Sequence, residues 1–243
     1  RRVLFRSGAA RAAGCQNVAI VFMHGWRHPQ HETRAAILAR SAGFEAVAAS
    51  HEISPTQGYV ARGQTTVADA YLAALVGRYV ARLAEDLQAF GPEVRLELMQ
   101  SHGGLAPAAA FRGTNGILSG PAGGIVGMVK TGTSAGHTRL IGFDMGGTST
   151  DVSLYDGQYP RRHEIRVAGV RLALPSLDIH TVAAGGGSVL RYRDNRFAVG
   201  PDSAGASPGP SSYGRGGPLA VTDCHVALGR LAPDFLPPVF GLH

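Results

Sequence analysis

Lysine is almost missing from this sequence of 243 residues: Lys130 is the only one, and the other cationic side chains are arginines. Charged residues of all kinds reach 16%, below the usual ~25%. The net charge is +6, and Arg1, Arg2, Arg6 and Arg11 crowd the start while the rest are scattered. Displacing counterions from a nucleic acid needs a basic stripe, and none is present. Cysteine is limited to Cys15 and Cys224, too few and too far apart for a disulfide framework or a paired zinc knuckle, and suited to a reducing cytosol. Long apolar runs are also lacking. The longest, Val18 to Met23, falls far short of the ~20 residues of a membrane span. Residues 1–7 are basic and lack the apolar stretch of a secretion signal. They fit poorly with the rest of the chain and are expected to be foreign to the native protein.

Apolar residues make up 44% of the chain, enough for a sizeable core. Glycine stands out, with 34 residues, about double the usual ~7%. Val18 to Met23 reads as a buried strand, Gln30 to Ser41 as a helix burying Ile37 and Leu38, and Phe44 to Ala49 as a second strand. That succession is a βαβ unit and implies a parallel sheet. Thr65 or Thr66 is expected to cap a long helix reaching Phe90, whose Val67, Tyr71, Leu75 and Tyr79 form an apolar stripe for a core. Leu96 to Gln100, Leu140 to Met145, Val152 to Tyr155 and Glu164 to Leu174 read as strands, and Thr222 as the cap of a last short helix.

The chemistry-bearing stretch is Gly142-Phe143-Asp144-Met145-Gly146-Gly147-Thr148-Ser149-Thr150-Asp151-Val152-Ser153. A strand enters, Gly146 and Gly147 turn, three hydroxyl residues follow, and a strand leaves. Bare glycine amides can approach phosphate oxygens closely. The hydroxyls of Thr148, Ser149 and Thr150 can donate to the same oxygens. Asp144 and Asp151 repel phosphate but can hold a magnesium ion through its waters. A plain Gly-Gly hairpin turn is the simpler alternative.

A second cluster, Gly185-Gly186-Gly187, would let a ring or ribose lie on the backbone. It is expected across a cleft from the hairpin, lining adenosine, so that a side chain at Gly186 would fill ligand space with little change in fold. Its alternative is a flexible loop. Leu118 to Gly124 opens a helix among glycines, suited either to an anion or to close packing. His180 could orient a substrate or bond internally. His24, His28 and His31 have metal-like spacing, but Pro29 divides them between a strand end and a helix start. No Gly-x-Ser-x-Gly elbow supports a serine hydrolase.

Gly142 to Ser153 resembles the second phosphate motif of the hydantoinase A / 5-oxoprolinase family. Ser54 to Leu72, Met99 to Leu105, Leu118 to Gly124, Asp178 to Ser188 and Val199 to Arg230 resemble other stretches of it, in order. The resemblance implies an α/β fold on the actin, sugar-kinase and Hsp70 ATPase scaffold, here with two incomplete ribonuclease-H-like lobes. It places the end of the first lobe in residues 1–62, connecting helices and a strand in 63–137, and the start of the second lobe in 138–243.

It also implies ATP and Mg2+ as cofactors, with Asp144 and Asp151 at the metal and Asp144, Asp151 and His180 in catalysis. Gly146, Gly147, Thr148, Ser149, Thr150, Gly185, Gly186 and Gly187 would contact the nucleotide. The implied reaction is ATP-dependent opening of a cyclic amide such as a hydantoin or 5-oxoproline, through phosphorylation of the amide oxygen and with a hydantoinase-B-type partner subunit. A ketone carboxylase of the acetone type, or a non-enzymatic ATPase switch, are the rivals. His102 and Asp69 stand at asparagine positions, Ser212 at a cysteine position, and Cys224-His225 where Ala-Asn is usual. Residues 1–140 hold no earlier copy of the Asp-x-Gly-Gly-Thr loop, so the chain is expected to be the middle of a longer, cytoplasmic protein.

Overall fold

The computed structural model describes residues 8–232 and 234; the expectation for residues 1–7 lies outside them. Along the chain run β1 (Asn17–Ile20), α1 (Gln30–Ser41), β2 (Ala46–Ala49), α2 (Ser50–Ile53), α3 (Tyr59–Gln88), β3 (Glu97–Met99), β4 (Leu105–Pro107) and α4 (Ser119–Ser134). Then come β5 (Leu140–Met145), β6 (Thr150–Tyr155), β7 (Arg161–Arg162), β8 (Ile165–Val167), β9 (Val170–Leu172) and β10 (Ser176–Leu177). β11 (His180–Val182), β12 (Ser188–Arg193), β13 (Arg196–Ser203) and α5 (Val221–Ala227) complete the order. Two units result. Among the described residues, one unit takes those up to 131 together with 158–178, and the other takes 132–157 and those from 179 on.

In the first unit, β1 and β2 pair in parallel with Val18 opposite Val47, and α1 is the crossover between them. The expected βαβ unit is present. α1, however, buries Ala35, Ala36 and Ala39, while Ile37 is 45% exposed. Alanines let the helix lie close to the strands, where Ile20, Phe44 and Ala49 complete a small core. α3 begins at Tyr59, ahead of Thr65 and Thr66, so neither caps it. Both threonines are fully buried. Their hydroxyls donate to Ala61 O and Arg62 O at 2.7 Å, one turn back. Thr65 Oγ1 also accepts from Ala173 N at 2.8 Å. The stripe of Val67, Tyr71, Leu75 and Tyr79 faces outward, with Tyr71 77% exposed; the packed face carries Thr66, Asp69 and Ala70 instead. Glu164 to Leu174 is not one strand. Ala168 and Gly169 both take positive φ, 49° and 81°, which is the backbone of a two-residue hairpin turn, and β8 folds back on β9.

Two opposite charges are fully buried here. Glu32 accepts hydrogen bonds from Phe22 N (2.7 Å), Ser50 Oγ (2.6 Å) and His51 N (2.9 Å), and lies 2.7 Å from His51 Nδ1. Arg62 donates to Ser50 Oγ (2.9 Å), Phe22 O (2.6 Å), Met23 O (3.1 Å), Thr56 O (2.7 Å) and Gln57 O (3.3 Å). Burial alone would raise the Glu32 carboxyl, but the bonds from Ser50, Phe22 and His51 hold it below its ordinary value.

A depressed carboxyl contributes stability that is present above its unfolded pKa and lost as pH falls through the folded one. Unfolding by urea should therefore show the protein weakening as pH drops below about 4.5, and Glu32→Gln should flatten that part of the profile. At neutral pH the variant should lose on the order of 1.5–3 kcal/mol, because the buried groups of Phe22, Ser50 and His51 lose their charged acceptor. An unchanged acid limb in Glu32→Gln would refute the assignment.

Candidate active site

The second unit is built around a three-stranded antiparallel sheet ordered β11-β6-β5. β5 and β6 form the expected hairpin: Met145 pairs with Thr150, Asp144 with Asp151 and Phe143 with Val152. The turn between them is closed by Gly146 N donating to Ser149 O at 2.9 Å. The next three amides, on Gly147, Thr148 and Ser149, make no hydrogen bond among the described residues. The tip is exposed at Gly146, Gly147 and Thr148. Three unpaired N–H groups at one exposed bend form a concavity able to bind an anion.

Cross-strand pairing sets which side chains share a face, because successive residues alternate. Asp144, Asp151 and Thr181 lie in one row across the three strands. Thr181 Oγ1 donates to Asp151 Oδ1 at 2.6 Å. Asp144 is exposed and has no ion-pair or hydrogen-bond partner among the described residues. Like charges directly opposite destabilise a sheet, so this pair suits a cation between or beside its carboxylates. Two carboxylates are what Mg2+ takes when water and phosphate supply the rest of its shell. The pair is thus a fit for that ion, though no group of three or more His, Cys, Asp or Glu among the described residues is placed to hold a metal. The same finding leaves His24, His28 and His31 without a shared metal position.

His180 pairs with Val152, one residue out of phase with the carboxylate row, and so belongs to the opposite face of the sheet. It does not join Asp144 and Asp151. That face is apolar and open: Ile141 is 75% and Phe143 70% exposed. Thr150 also differs from expectation. It is buried, and its hydroxyl donates to Ala184 O at 2.6 Å, leaving no proton for a ligand. Thr148 and Ser149 keep free hydroxyls among the described residues.

The triple glycine does not lie across a cleft from the hairpin. It is bonded to it. Gly186 N donates to Gly146 O (2.9 Å) and Gly187 N to Gly147 O (2.7 Å). A Cβ on Gly185 would stand 2.7 Å from Gly146 O and from Thr148 N; one on Gly187 would stand 2.9 Å from Gly147 O. These glycines exist so that two backbones can touch. Thr222, expected to cap α5, instead donates to Gly186 O at 2.9 Å and holds the same loop from outside. Asp223 organises the start of α5: it accepts from Ala220 N (2.7 Å), Ser211 N (3.1 Å) and Ser212 N (2.7 Å). Burial would raise the Asp223 carboxyl, but the bonds from Ser212, Ala220 and Ser211 hold it below its ordinary value. Sequence reading missed both roles, since nothing in Thr222-Asp223 names partners many residues away. In the first unit, a Cβ at Gly120 would meet nothing within 4 Å and one at Gly123 only Met99 at 3.8 Å, so close packing does not explain those glycines.

Residues 62–241 match the hydantoinase/oxoprolinase family model, and the chain belongs to that family. It is 45% identical over 232 residues to 5-oxoprolinase of Saccharomyces cerevisiae, covering 95% of this chain and 18% of the relative. Caprolactamase subunit alpha of Pseudomonas jessenii is 38% identical over 227 residues, with 91% and 33% covered. A solved ATP-dependent caprolactamase from that organism superimposes with a TM-score of 0.75 at 37% identity, over 92% of this chain and 33% of that one. Nucleotide-free acetone carboxylase, an ATP-dependent enzyme, gives 0.76 at 28% identity, over 96% and 34%. The mixed α/β fold is therefore the scaffold of these ATP-dependent enzymes, and the chain spans about a fifth to a third of the length of its relatives.

The glycine contacts yield a prediction opposite to the one drawn from sequence. Gly186→Val should disturb the fold itself, because its Cβ would lie 2.6 Å from Thr222 Oγ1. Crowding of this kind should lower stability by roughly 1–3 kcal/mol, measurable as a drop in Tm without any ligand. Gly186→Val with wild-type Tm would contradict the packing described.

Proposed function

We propose that this chain supplies part of the ATP-handling portion of an enzyme that opens a cyclic amide of the hydantoin or 5-oxoproline type. The observation that carries the reading is the tip of the β5–β6 hairpin: free amides on Gly147, Thr148 and Ser149 above the facing carboxylates of Asp144 and Asp151. The amides and the Thr148 and Ser149 hydroxyls would bind phosphate oxygens; Asp144 and Asp151 would hold Mg2+ through its waters. When bound, Mg2+ would offset charge on the phosphates. The γ-phosphoryl bond to ADP breaks as an O–P bond forms on the amide oxygen. The resulting imidate-like phosphate is a far better electrophile than the amide: water adds at its carbon, the ring C–N bond then breaks as a proton passes to nitrogen, and a second water hydrolyses the acyl phosphate left behind to carboxylate and phosphate. In such a transfer the protein mainly positions groups and balances charge. Gly185, Gly186 and Gly187 act by bracing the turn and bring their backbone close to the nucleotide. His180, on the other face, is left to orientation of a neighbouring segment.

Names of relatives favour amide opening over carboxylation: identity is higher to 5-oxoprolinase and caprolactamase than to acetone carboxylase. A B-type partner belongs to the same reading, since the caprolactamase relative is called a subunit. We read the second unit as the start of a second ribonuclease-H-like lobe and residues 1–62 as the end of a first. The apolar sheet face at Ile141, Phe143, Met145, Leu154 and Val182 supports work within a longer protein, because so large an open patch is unusual on a free domain. Cys15 and Cys224 are free and exposed, in keeping with a cytosolic setting. No helix among the described residues is long and apolar enough to cross a membrane.

The test is ATP-dependent ring opening of 5-oxoproline and hydantoin, alongside carboxylation of acetone, by the full-length protein with and without its partner. Amide opening with release of ADP and phosphate is expected. Asp144→Ala should lower kcat by about 100-fold or more, the order expected for loss of several kcal/mol of charge stabilisation, with little change in Tm. Wild-type turnover in Asp144→Ala would overturn the site, and ATP hydrolysis without small-molecule product would favour a nucleotide switch.

A further inference from the structure

In the first unit, the parallel pair β1–β2 ends in two loops that line a cavity. Ligands of open parallel sheets bind beyond the carboxyl ends of the strands, where the connecting loops diverge. Here a cavity of about 500 Å3 lies at that end, lined by His24, Trp26, Arg27 and His28 from the loop after β1, and by Gln57 and Tyr59 where the chain enters α3. Its volume falls within the ~300–1,000 Å3 of small-ligand sites. No carboxylate lines it. Arg27, His24 and His28 have no side-chain partner among the described residues.

The two walls are held rigidly from beneath. Arg62, fully buried, donates to Phe22 O and Met23 O on one wall and to Thr56 O and Gln57 O on the other. Its guanidinium also sits 5.8 Å from the centre of the Tyr59 ring. Glu32, fully buried, accepts from Phe22 N. Gly25 presses on that carboxylate: a Cβ there would stand 2.2 Å from Glu32 Oε1. Burying two ions is a poor route to stability, whereas fixing two loops to within a fraction of an ångström is what a recognition site requires.

We propose that this cavity binds a small planar ring bearing one carboxylate, with the Arg27 fork on the carboxylate and the Trp26 and Tyr59 rings against the ring faces. The planar guanidinium matches a carboxylate in two parallel hydrogen bonds, and aromatic walls suit a flat lactam. This deepens the functional reading and rests on it: 5-oxoproline is a five-membered lactam with one carboxylate, and hydantoin and caprolactam carry none. Arg27 would then be the residue that selects the acidic substrate.

In the full-length protein the fluorescence difference between wild type and Trp26→Phe isolates the signal of Trp26, which lines this cavity. Titration of the full-length protein with 5-oxoproline should give a saturable change that disappears in Trp26→Phe, which serves as the blank. The neutral analogue 2-pyrrolidinone should bind roughly 10- to 100-fold more weakly, as should 5-oxoproline to Arg27→Ala, the range for losing a hydrogen bond to a charged group. In the full-length enzyme Arg27→Ala should raise KM for 5-oxoproline by a similar factor with kcat little changed, and Arg27→Lys should recover part of it. Equal affinity for the lactam with and without its carboxylate, no response to 5-oxoproline, or a response to ATP or inorganic phosphate in its place would overturn the proposal. Turnover of 5-oxoproline with an unaltered KM in Arg27→Ala would sink this site and leave the functional reading standing. Arg27-dependent binding without ATP-driven ring opening would do the reverse.

Discussion

The buried contact between Ser50 and the two ions flanking it organises the first unit. Ser50 Oγ donates to Glu32 and accepts from Arg62, so one hydroxyl joins an acid on α1 to a base on α3. Neither ion could stay charged in such a place without saturating its hydrogen bonds. The bonds that saturate them fix the loop after β1 and the segment before α3. The short strands β1 and β2, four residues each, give little cooperativity of their own. Their alanine-rich core is small, and the polar network supplies the definition that side-chain bulk does not.

The second unit solves the same problem with backbone alone. Among the described residues, Val189, Ala204 and Ala220 form a small buried cluster in it. What holds the β5–β6 turn is the pair of bonds from Gly186 and Gly187, made possible because nothing projects from Gly185 or Gly187. Thr150 and Thr222 seal the loop with hydroxyl bonds to Ala184 O and Gly186 O. A turn braced in this way can leave three amides unpaired at its tip without collapsing onto them, a precondition for receiving an anion in a fixed geometry.

Much of this was legible in the residues. The hairpin was readable because strand, Gly-Gly, hydroxyls and strand succeed one another locally, and a two-residue period fixes which side chains share a face. The βαβ unit was readable for the same reason. What failed was whatever depended on which face a helix turns inward. Spacing of four residues marks Val67, Tyr71, Leu75 and Tyr79 as one stripe, but it cannot say that the small face beside it, with Thr66 and Ala70, is the one that packs. Partnerships over long separations were equally hidden. Glu32 meets His51 and Arg62 reaches Phe22, while Thr222, well placed to cap a helix, is taken by Gly186.

Charge is scarce in this chain, and how it is disposed separates support from chemistry. Glu32, Arg62 and Asp223 have their acceptor or donor capacity engaged by neighbours, and Asp69 accepts from Thr114 Oγ1 at 2.7 Å with Arg112 nearby. These ions are satisfied, so they need nothing from outside. Asp144 opposite Asp151 is the contrary case. The pair breaks the cross-strand rule that like charges avoid each other, and among the described residues only Asp151 has a hydrogen-bond donor, Thr181. A local rule broken where the surrounding backbone is so carefully braced is what the proposed role of this pair requires. The same contrast applies to Arg27, a cation with no partner among the described residues, on a loop held by the satisfied Arg62 and Glu32. In both units, buried and satisfied groups hold still what exposed and unsatisfied groups present.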